Sequence, residues 1–315
     1  MGQQYFVVGA GSIGRRHHLN LQSLGAESQL LAWRDQDLSS LEARLRAAGA
    51  GAVVIATATP IRLEIISLCA ALGVPFYVEK PLAYRIEALD QIFDISAPVA
   101  ERSVVGLMMR YHPAVQAQVK AARSVYGFEM EIGHDVRQWR QNWSFADSYA
   151  AKPEGGGVLL DLCHEIDIAH CLFPDIGIVS VDCVGHQDFP GVDFATRVTI
   201  AAEGGPVGSV AMDYLSPKSI RRMHLSGRDE VVDLDLISCR EVSSQGADET
   251  VRTWEFDRNE MFLGLMRDFM ALAEGQETSG NPLLPRLDRM YESSALIAGA
   301  WEARDFHGTI KGTFA

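Results

Sequence analysis

The segment Asp161-Leu162-Cys163-His164-Glu165-Ile166-Asp167-Ile168-Ala169-His170 places Asp161, His164, Asp167 and His170 at three-residue intervals. On a helix that spacing sets them on roughly one face. Histidine titrates near neutrality, and a carboxylate one turn away orients its ring and raises its pKa. The pattern suits proton transfer at His164 with Asp161 as its partner. The same residues also read as a helix capped by Asp161 with a structural histidine. Gly155-Gly156-Gly157 precede the segment and permit close backbone approach. A second candidate is Lys80, in Pro75-Phe76-Tyr77-Val78-Glu79-Lys80-Pro81. Here an apolar run ends in a lysine, and Pro81 stops the strand and fixes the chain direction. Taken alone, Lys80 reads as a surface lysine at a strand end. The third candidate is Gly9-Ala10-Gly11-Ser12-Ile13-Gly14, which follows the apolar run Tyr5–Val8 and precedes helix-forming sequence. Gly9 permits a tight turn, Gly11 lets the backbone approach a pyrophosphate, and Gly14 lets the helix lie close to the strand. The helix aims its unpaired N–H groups at the same place. This points to a dinucleotide site; the alternative is a glycine-rich turn that binds nothing.

These residues need elements to hold them. Apolar runs at 4–9, 29–33, 52–57, 75–78 and 103–108 read as strands. Helical patterns at 12–24, 38–48, 61–72 and 84–95 lie between them. Such alternation predicts a doubly wound parallel sheet, with Lys80 at its carboxyl edge, where ligands bind in such folds. The link from Arg34 to Ala52 has room for little more than one helix. Beyond residue 125, segments 127–139, 178–186, 194–203, 206–215, 219–228 and 230–237 alternate or carry β-branched residues. Gly204-Gly205 reads as a hairpin turn between two of them. The fold class expected is therefore α/β, a Rossmann domain followed by an α+β domain on a large, mostly antiparallel open sheet. Domains are expected at 1–115 and 116–315, without a Gly/Ser linker. Helices at 258–274 and 286–303 close the chain, with a C-terminal helix packing back on the first domain.

The composition is 47% hydrophobic and 22% charged, which suits a globular protein of one large or two ordinary domains. No run of 18 apolar residues occurs, so no membrane partner is expected. The strand beginning by residue 5 leaves no room for a signal peptide, and the expected compartment is cytoplasmic. A net charge of −13 argues against nucleic acid as a partner. Cys69, Cys163, Cys171, Cys183 and Cys239 lack a compact spacing pattern and read as reduced and mostly buried. Cys163 and Cys171 flank His164, but the Cys-x-x-Cys spacing of zinc sites is missing, so no metal is expected.

Together, GAGSIG at 9–14, VEKP at 78–81, Arg110-Tyr111-His112-Pro113, Ser148–Gly157 and GGGVLLDLCHEID at 155–167 resemble the Gfo/Idh/MocA family of oxidoreductases. The resemblance spans nearly the whole chain. It implies hydride transfer between a nicotinamide and a hydroxyl-bearing carbon, usually of a sugar or cyclitol. It also implies that Lys80 bonds the reacting oxygen and that His164 takes the hydroxyl proton. Implied cofactor contacts are Gly9, Gly11, Ser12, Ile13, Gly14, Arg34, Asp35, Thr57, Glu79 and Lys80. Implied substrate contacts are Arg110, Tyr111, Trp139, Tyr149, Asp161 and His164. Arg110 and Tyr111 read equally as hinge packing. Trp139, with Arg140 and Trp143, reads equally as sugar-stacking surface or as buried at an interface. Many members have an aspartate four residues before the active-site histidine, where this chain has Leu160; Asp161 or Asp167 takes that role or it is absent. Many also have a histidine after the third strand, where this chain has Thr59-Pro60-Ile61-Arg62. Non-catalytic dinucleotide sensors and enzymes with tightly held NAD also occur in the family; retention of Lys80 and His164 argues against a sensor.

The position about 20 residues past the third glycine, where an acidic residue binds the ribose of NAD, holds Arg34. Arginine suits a 2′-phosphate and favours NADP, while the neighbouring Asp35 keeps NAD open. An open apolar sheet face in the second domain would also favour a homodimer or homotetramer through that sheet.

Overall fold

The computed structural model describes residues 3–121, 124–138 and 144–312. The first elements in chain order are β1 (Gln4–Val8), α1 (Ser12–Ser23), β2 (Glu27–Leu31), α2 (Leu38–Ala48), β3 (Ala52–Ile55), α3 (Arg62–Ala71), β4 (Phe76–Val78), α4 (Ile86–Ser96) and β5 (Val104–Val105). They are followed by α5 (Pro113–Lys120), β6 (Val125–Gly133), α6 (Val158–Asp161), α7 (His164–Leu172), β7 (Ile176–His186), β8 (Phe189–Ala202), β9 (Val207–Asp213) and β10 (Ile220–Gly227). The last are β11 (Val231–Asp235), β12 (Arg240–Gln245), β13 (Asp248–Thr253), α8 (Asn259–Glu274), α9 (Tyr291–Glu302) and β14 (Asp305–Ile310). The chain forms two compact units, 1–112 with 256–295, and 113–255 with 296–315. The division is discontinuous, whereas the sequence reading places one break between 115 and 116.

The first unit carries a parallel sheet in the order β2-β1-β3-β4-β5. Every residue of β3 and β4 is buried, as a parallel sheet covered on both faces requires. Phe6, Val8, Val53, Ile55, Ile65, Ile66, Phe76 and Val78 form the middle of its core. Local signals set the helix ends. Asp37 accepts from the Ser40 N–H at 2.7 Å and Ser40 Oγ accepts from the Asp37 N–H at 3.0 Å, a reciprocal cap that starts α2. Gly49, left-handed at φ 59°, ends that helix. The expected strand 29–33 is displaced to 27–31, because a tight turn over Trp33–Asp35 is closed by Asp35 N–H to Ala32 O and Gln36 N–H to Trp33 O, both 3.0 Å. Helix α8 joins this unit through buried Leu265, Met266 and Phe269. The Phe269 ring meets Tyr5 and Tyr77 edge-on, and the Tyr5 hydroxyl donates to Glu274 at 2.7 Å.

The second unit is built on a nine-stranded sheet in the order β13-β12-β11-β10-β6-β9-β8-β7-β14. Its pairs are antiparallel except β6–β9 and β7–β14. One face buries Phe128, Met130, Val198, Val210, Met223, Leu225 and Val232. Across β6, β10 and β11 the other face carries Glu129, Glu131, Arg222, His224, Asp233 and Asp235, so there it is polar rather than an open apolar surface. Register aligns Glu131, Arg222, Asp235 and Arg240 across four neighbouring strands, so charges alternate in sign along one row. Opposite charges in such positions support one another while remaining solvated. Among the described residues no helix is long and apolar enough to cross a membrane.

Candidate active site

The sheet of the first unit gathers most of the expected cofactor residues at its carboxyl edge, at the switch between β1 and β3. The three motif glycines are required for different reasons. Gly9 lies at φ 114°, and a Cβ there would strike the Ala56 carbonyl. A Cβ on Gly14 would strike the Gly9 carbonyl oxygen. Both positions are therefore fixed by the junction of β1, α1 and β3. Gly11 is different: its φ is −71°, and a Cβ would meet nothing within 4 Å. The fold makes no demand for glycine there, so the open space is a cradle that a side chain would fill. Gly11 also opens α1 with no side-chain cap, leaving the first-turn N–H groups of Ser12, Ile13 and Gly14 for an external acceptor. This arrangement fits a pyrophosphate.

Glu79 is turned inward rather than toward the cradle. Its Oε1 lies 2.6 Å from His17 Nε2 on α1, and both side chains are buried. Burial pushes the Glu79 carboxyl up, but the hydrogen bond and charge of His17, with Lys80 and Arg62, hold it below its ordinary value. Tyr77 stacks obliquely on His17 with ring centroids 4.7 Å apart. Lys80 follows, half-buried, with a cis peptide to Pro81. The Thr57 carbonyl accepts from the buried Arg62 guanidinium, while Thr57 Oγ1 is buried with no hydrogen-bond partner. Arg34 and Asp35 stand exposed side by side on the turn after β2.

In the second unit, the expected single helix from Gly157 onward is two. Gly157 (φ 94°) starts α6, where a Cβ would strike the Asp193 carboxylate. Asp193 accepts from the Leu159 N–H at 2.9 Å, from Thr196 Oγ1 at 2.9 Å and from Arg304 at 2.6 Å. Asp161 ends α6, and after Leu162-Cys163 His164 opens α7. Asp161 therefore caps neither helix; Gly157 and Cys163 hold those positions. Its carboxylate accepts from Tyr149 Oη at 2.6 Å and from Tyr214 Oη at 3.1 Å. Burial and then the Asp161 charge push the Tyr214 phenol well above its ordinary value. His164 is buried, and its neighbour Glu165 accepts from Arg221 at 2.5 Å. Burial lowers the pKa of His134, against the opposing charges of Asp161 and Asp213.

Of the remaining candidates, Tyr111 donates to Asp268 at 2.5 Å, and Arg110 donates to the Leu283 carbonyl at 3.4 Å. These contacts lie within the first unit. Burial and the Asp268 bond raise the Tyr111 phenol. Trp139 lies outside the described residues. Arg62, Tyr214, Asp193 and His134 were not legible as site residues; only Arg62 carried a local signal, a cation at a helix start.

Residues 120–232 match the family model described as GFO/IDH/MocA C-terminal domain. The inositol 2-dehydrogenase of Paracoccus denitrificans (strain Pd 1222) is 26% identical over 187 residues, covering 54% of each chain. The alignment thus spans about half the length of that curated relative. Solved structures share the fold over 96% of this chain. A UDP-N-acetylglucosamine 3-dehydrogenase from Acidithiobacillus ferrooxidans superposes with a TM-score of 0.73 at 18% identity over 97% of its own chain. A levoglucosan dehydrogenase in complex with NADH and levoglucosan gives 0.72 at 19% over 96% of its chain. An inositol dehydrogenase homolog complexed with NAD+ from Azotobacter vinelandii gives 0.73 at 15%, also over 96%. The resemblance read from the motifs is borne out to this extent: residues 120–232 match the GFO/IDH/MocA C-terminal domain, and the chain shares the fold of these solved dehydrogenases.

Proposed function

We propose that this protein is a nicotinamide-dependent oxidoreductase acting at a hydroxyl-bearing carbon of a sugar, sugar derivative or cyclitol. The observation that carries this reading is Gly11, a glycine the fold does not need, at the mouth of an uncapped helix. The relatives' names support the same reading, since they include dehydrogenases of inositol, levoglucosan and UDP-N-acetylglucosamine. Solved complexes with NADH and NAD+ support a nicotinamide dinucleotide. Arg34 favours the phosphorylated form, because a guanidinium matches a 2′-phosphate in charge and geometry. Asp35 is the candidate ribose partner for the unphosphorylated one.

When bound, the nicotinamide supplies or accepts the hydride. The protein's own residues do the rest. Gly9, Gly11 and the first turn of α1 hold the pyrophosphate. Lys80 presents an ammonium to the reacting oxygen and stabilises charge that develops there. Oxidation of a carbinol requires its O–H proton to leave, and His164 takes that proton. Asp161, fixed by Tyr149 and Tyr214, supplies negative charge three residues before His164. The test is a fluorescence titration with NADH and NADPH, followed by coupled assays with myo-inositol, levoglucosan and UDP-N-acetylglucosamine. Micromolar dinucleotide binding with turnover of any polyol, abolished in Lys80→Met and His164→Ala, is the expected result. Absence of binding to either dinucleotide would overturn the reading.

A further inference from the structure

We propose that Arg62 is the positioning residue for Lys80, fixing the main chain on both sides of it. The inference rests on the proposed function in taking Lys80 as the group that meets the reacting oxygen. Arg62 is the first residue of α3, where a cation opposes the helix dipole. It is also only 5% exposed. Both features are unfavourable locally, so contacts elsewhere must account for them. Among those contacts are three main-chain carbonyls. One terminal nitrogen donates to Glu79 O at 2.5 Å and also to Pro81 O. The other terminal nitrogen and Nε donate to Thr57 O at 3.0 and 3.2 Å.

Glu79 and Pro81 are the two neighbours of Lys80, and Thr57 lies just past the end of β3. The sheet itself holds the Glu79 N–H, which donates to Ile55 O at 3.0 Å. Beyond that bond the ladder ends. Pro81 has no N–H to offer, so the chain leaves the sheet at Lys80 with its carbonyls in need of a donor. One planar guanidinium supplies donors in several directions at once and ties the β3 and β4 exits together. From the other side, His17 holds the Glu79 side chain at 2.6 Å. Lys80 is thus mounted on a backbone gripped on both flanks. A lysine at position 62 would keep the charge but lose the fork that reaches three acceptors.

The test uses the full-length protein with Arg62→Gln and Arg62→Lys. The lysines of this chain are Lys80, Lys120, Lys152, Lys218 and Lys311. Reductive ¹³C-methylation therefore gives a sparse NMR spectrum, in which the Lys80 signal is assigned by its loss in Lys80→Arg. In folded Arg62→Gln, the Lys80 signal is expected to shift and broaden while the other four stay in place. In a coupled assay with whichever polyol wild type turns over, both variants lower kcat on the order of 10²-fold, as misplacement of about 1 Å does. NADH dissociation constants and polyol KM stay within about twofold of wild type, since the loss lies in the reacting geometry. A Lys80 signal unchanged in folded Arg62→Gln would overturn the proposal. Failure of both variants to fold would also overturn it, making Arg62 a residue of the fold alone. The NMR readout needs no turnover, so failure of the proposed activity leaves this inference separately decided.

Discussion

Asp193 offers the sharpest test of how the second unit builds its site. Its carboxylate is fully buried and accepts from Arg304, from Thr196 and from the Leu159 N–H in the first turn of α6. Asp193→Ala removes all three contacts. It leaves a guanidinium that is 10% exposed and an orphaned helix-start N–H. Removing one partner of a buried ion pair costs about 3–5 kcal/mol. Asp193→Asn keeps one oxygen and the side-chain volume but loses the charge. Bonds to charged groups contribute about 1.5–3 kcal/mol against about 1 for neutral ones, so Asn should cost roughly 1–2 kcal/mol. Urea unfolding followed by tryptophan fluorescence reads both values. Trp301 is a local reporter, with the Arg304 guanidinium 4.1 Å over its ring. The loss should be nearly independent of salt, because buried pairs are poorly screened. Because α6 ends in Asp161, the Ala variant should also lose turnover. A stability change for Asp193→Ala below about 0.5 kcal/mol, the size of an ordinary surface substitution, would refute the reasoning.

Three further outcomes follow from the geometry. The Glu79 carboxyl is held below its ordinary value in the folded state, so it stabilises the protein above the unfolded value of about 4.3 and loses that contribution as pH falls through the lower folded value. Glu79→Gln should therefore be less stable than wild type at pH 7, with the gap closing in acid-unfolding curves below about pH 4. Tyr214→Phe removes a buried donor from Asp161 and from the Gly157 carbonyl, and should cost about 1–3 kcal/mol in urea. Tyr149→Phe should cost less, because its ring is 55% exposed. Arg34→Ala should weaken NADPH binding by about tenfold or more while leaving NADH nearly unchanged, as removal of a charge-assisted phosphate contact does; equal effects on both would exclude a 2′-phosphate role.

The first unit was legible because its central strands are buried on both faces and because α2 carries a local signal at each end. Asp37 and Gly49 bound α2 where the sequence puts it, at 38–48. The second unit was less so. Strands β12 and β13, REVSSQ and DETVRT, are largely polar, and β13 is exposed throughout, so no apolar alternation marks them. Strand β14, DFHGTI, likewise lies at a sheet edge with four of its six residues exposed. Among the candidate site residues, Lys80, His164 and the glycine loop announce themselves through local motifs. Their supports do not: Asp193 lies 34 residues from Leu159 and 111 from Arg304. Arg62 reaches Pro81 across 19 residues. Such contacts exist only once the sheets have formed. The helix break at Leu162-Cys163 was hidden for a related reason, since the Asp161–His164 spacing fits one continuous helix equally well.

The central claim is that the glycine loop holds a dinucleotide, and Gly11→Asn tests it most directly. Asparagine is a favoured helix N-cap, and its Cβ would meet nothing in this fold, so the thermal midpoint should stay at or above that of wild type. The same side chain would fill the space proposed for the pyrophosphate. The account predicts that NADH and NADPH fluorescence titrations show binding to wild type and at least a hundredfold weaker binding to an equally stable Gly11→Asn. Equal binding to both proteins, or binding to neither, would contradict it.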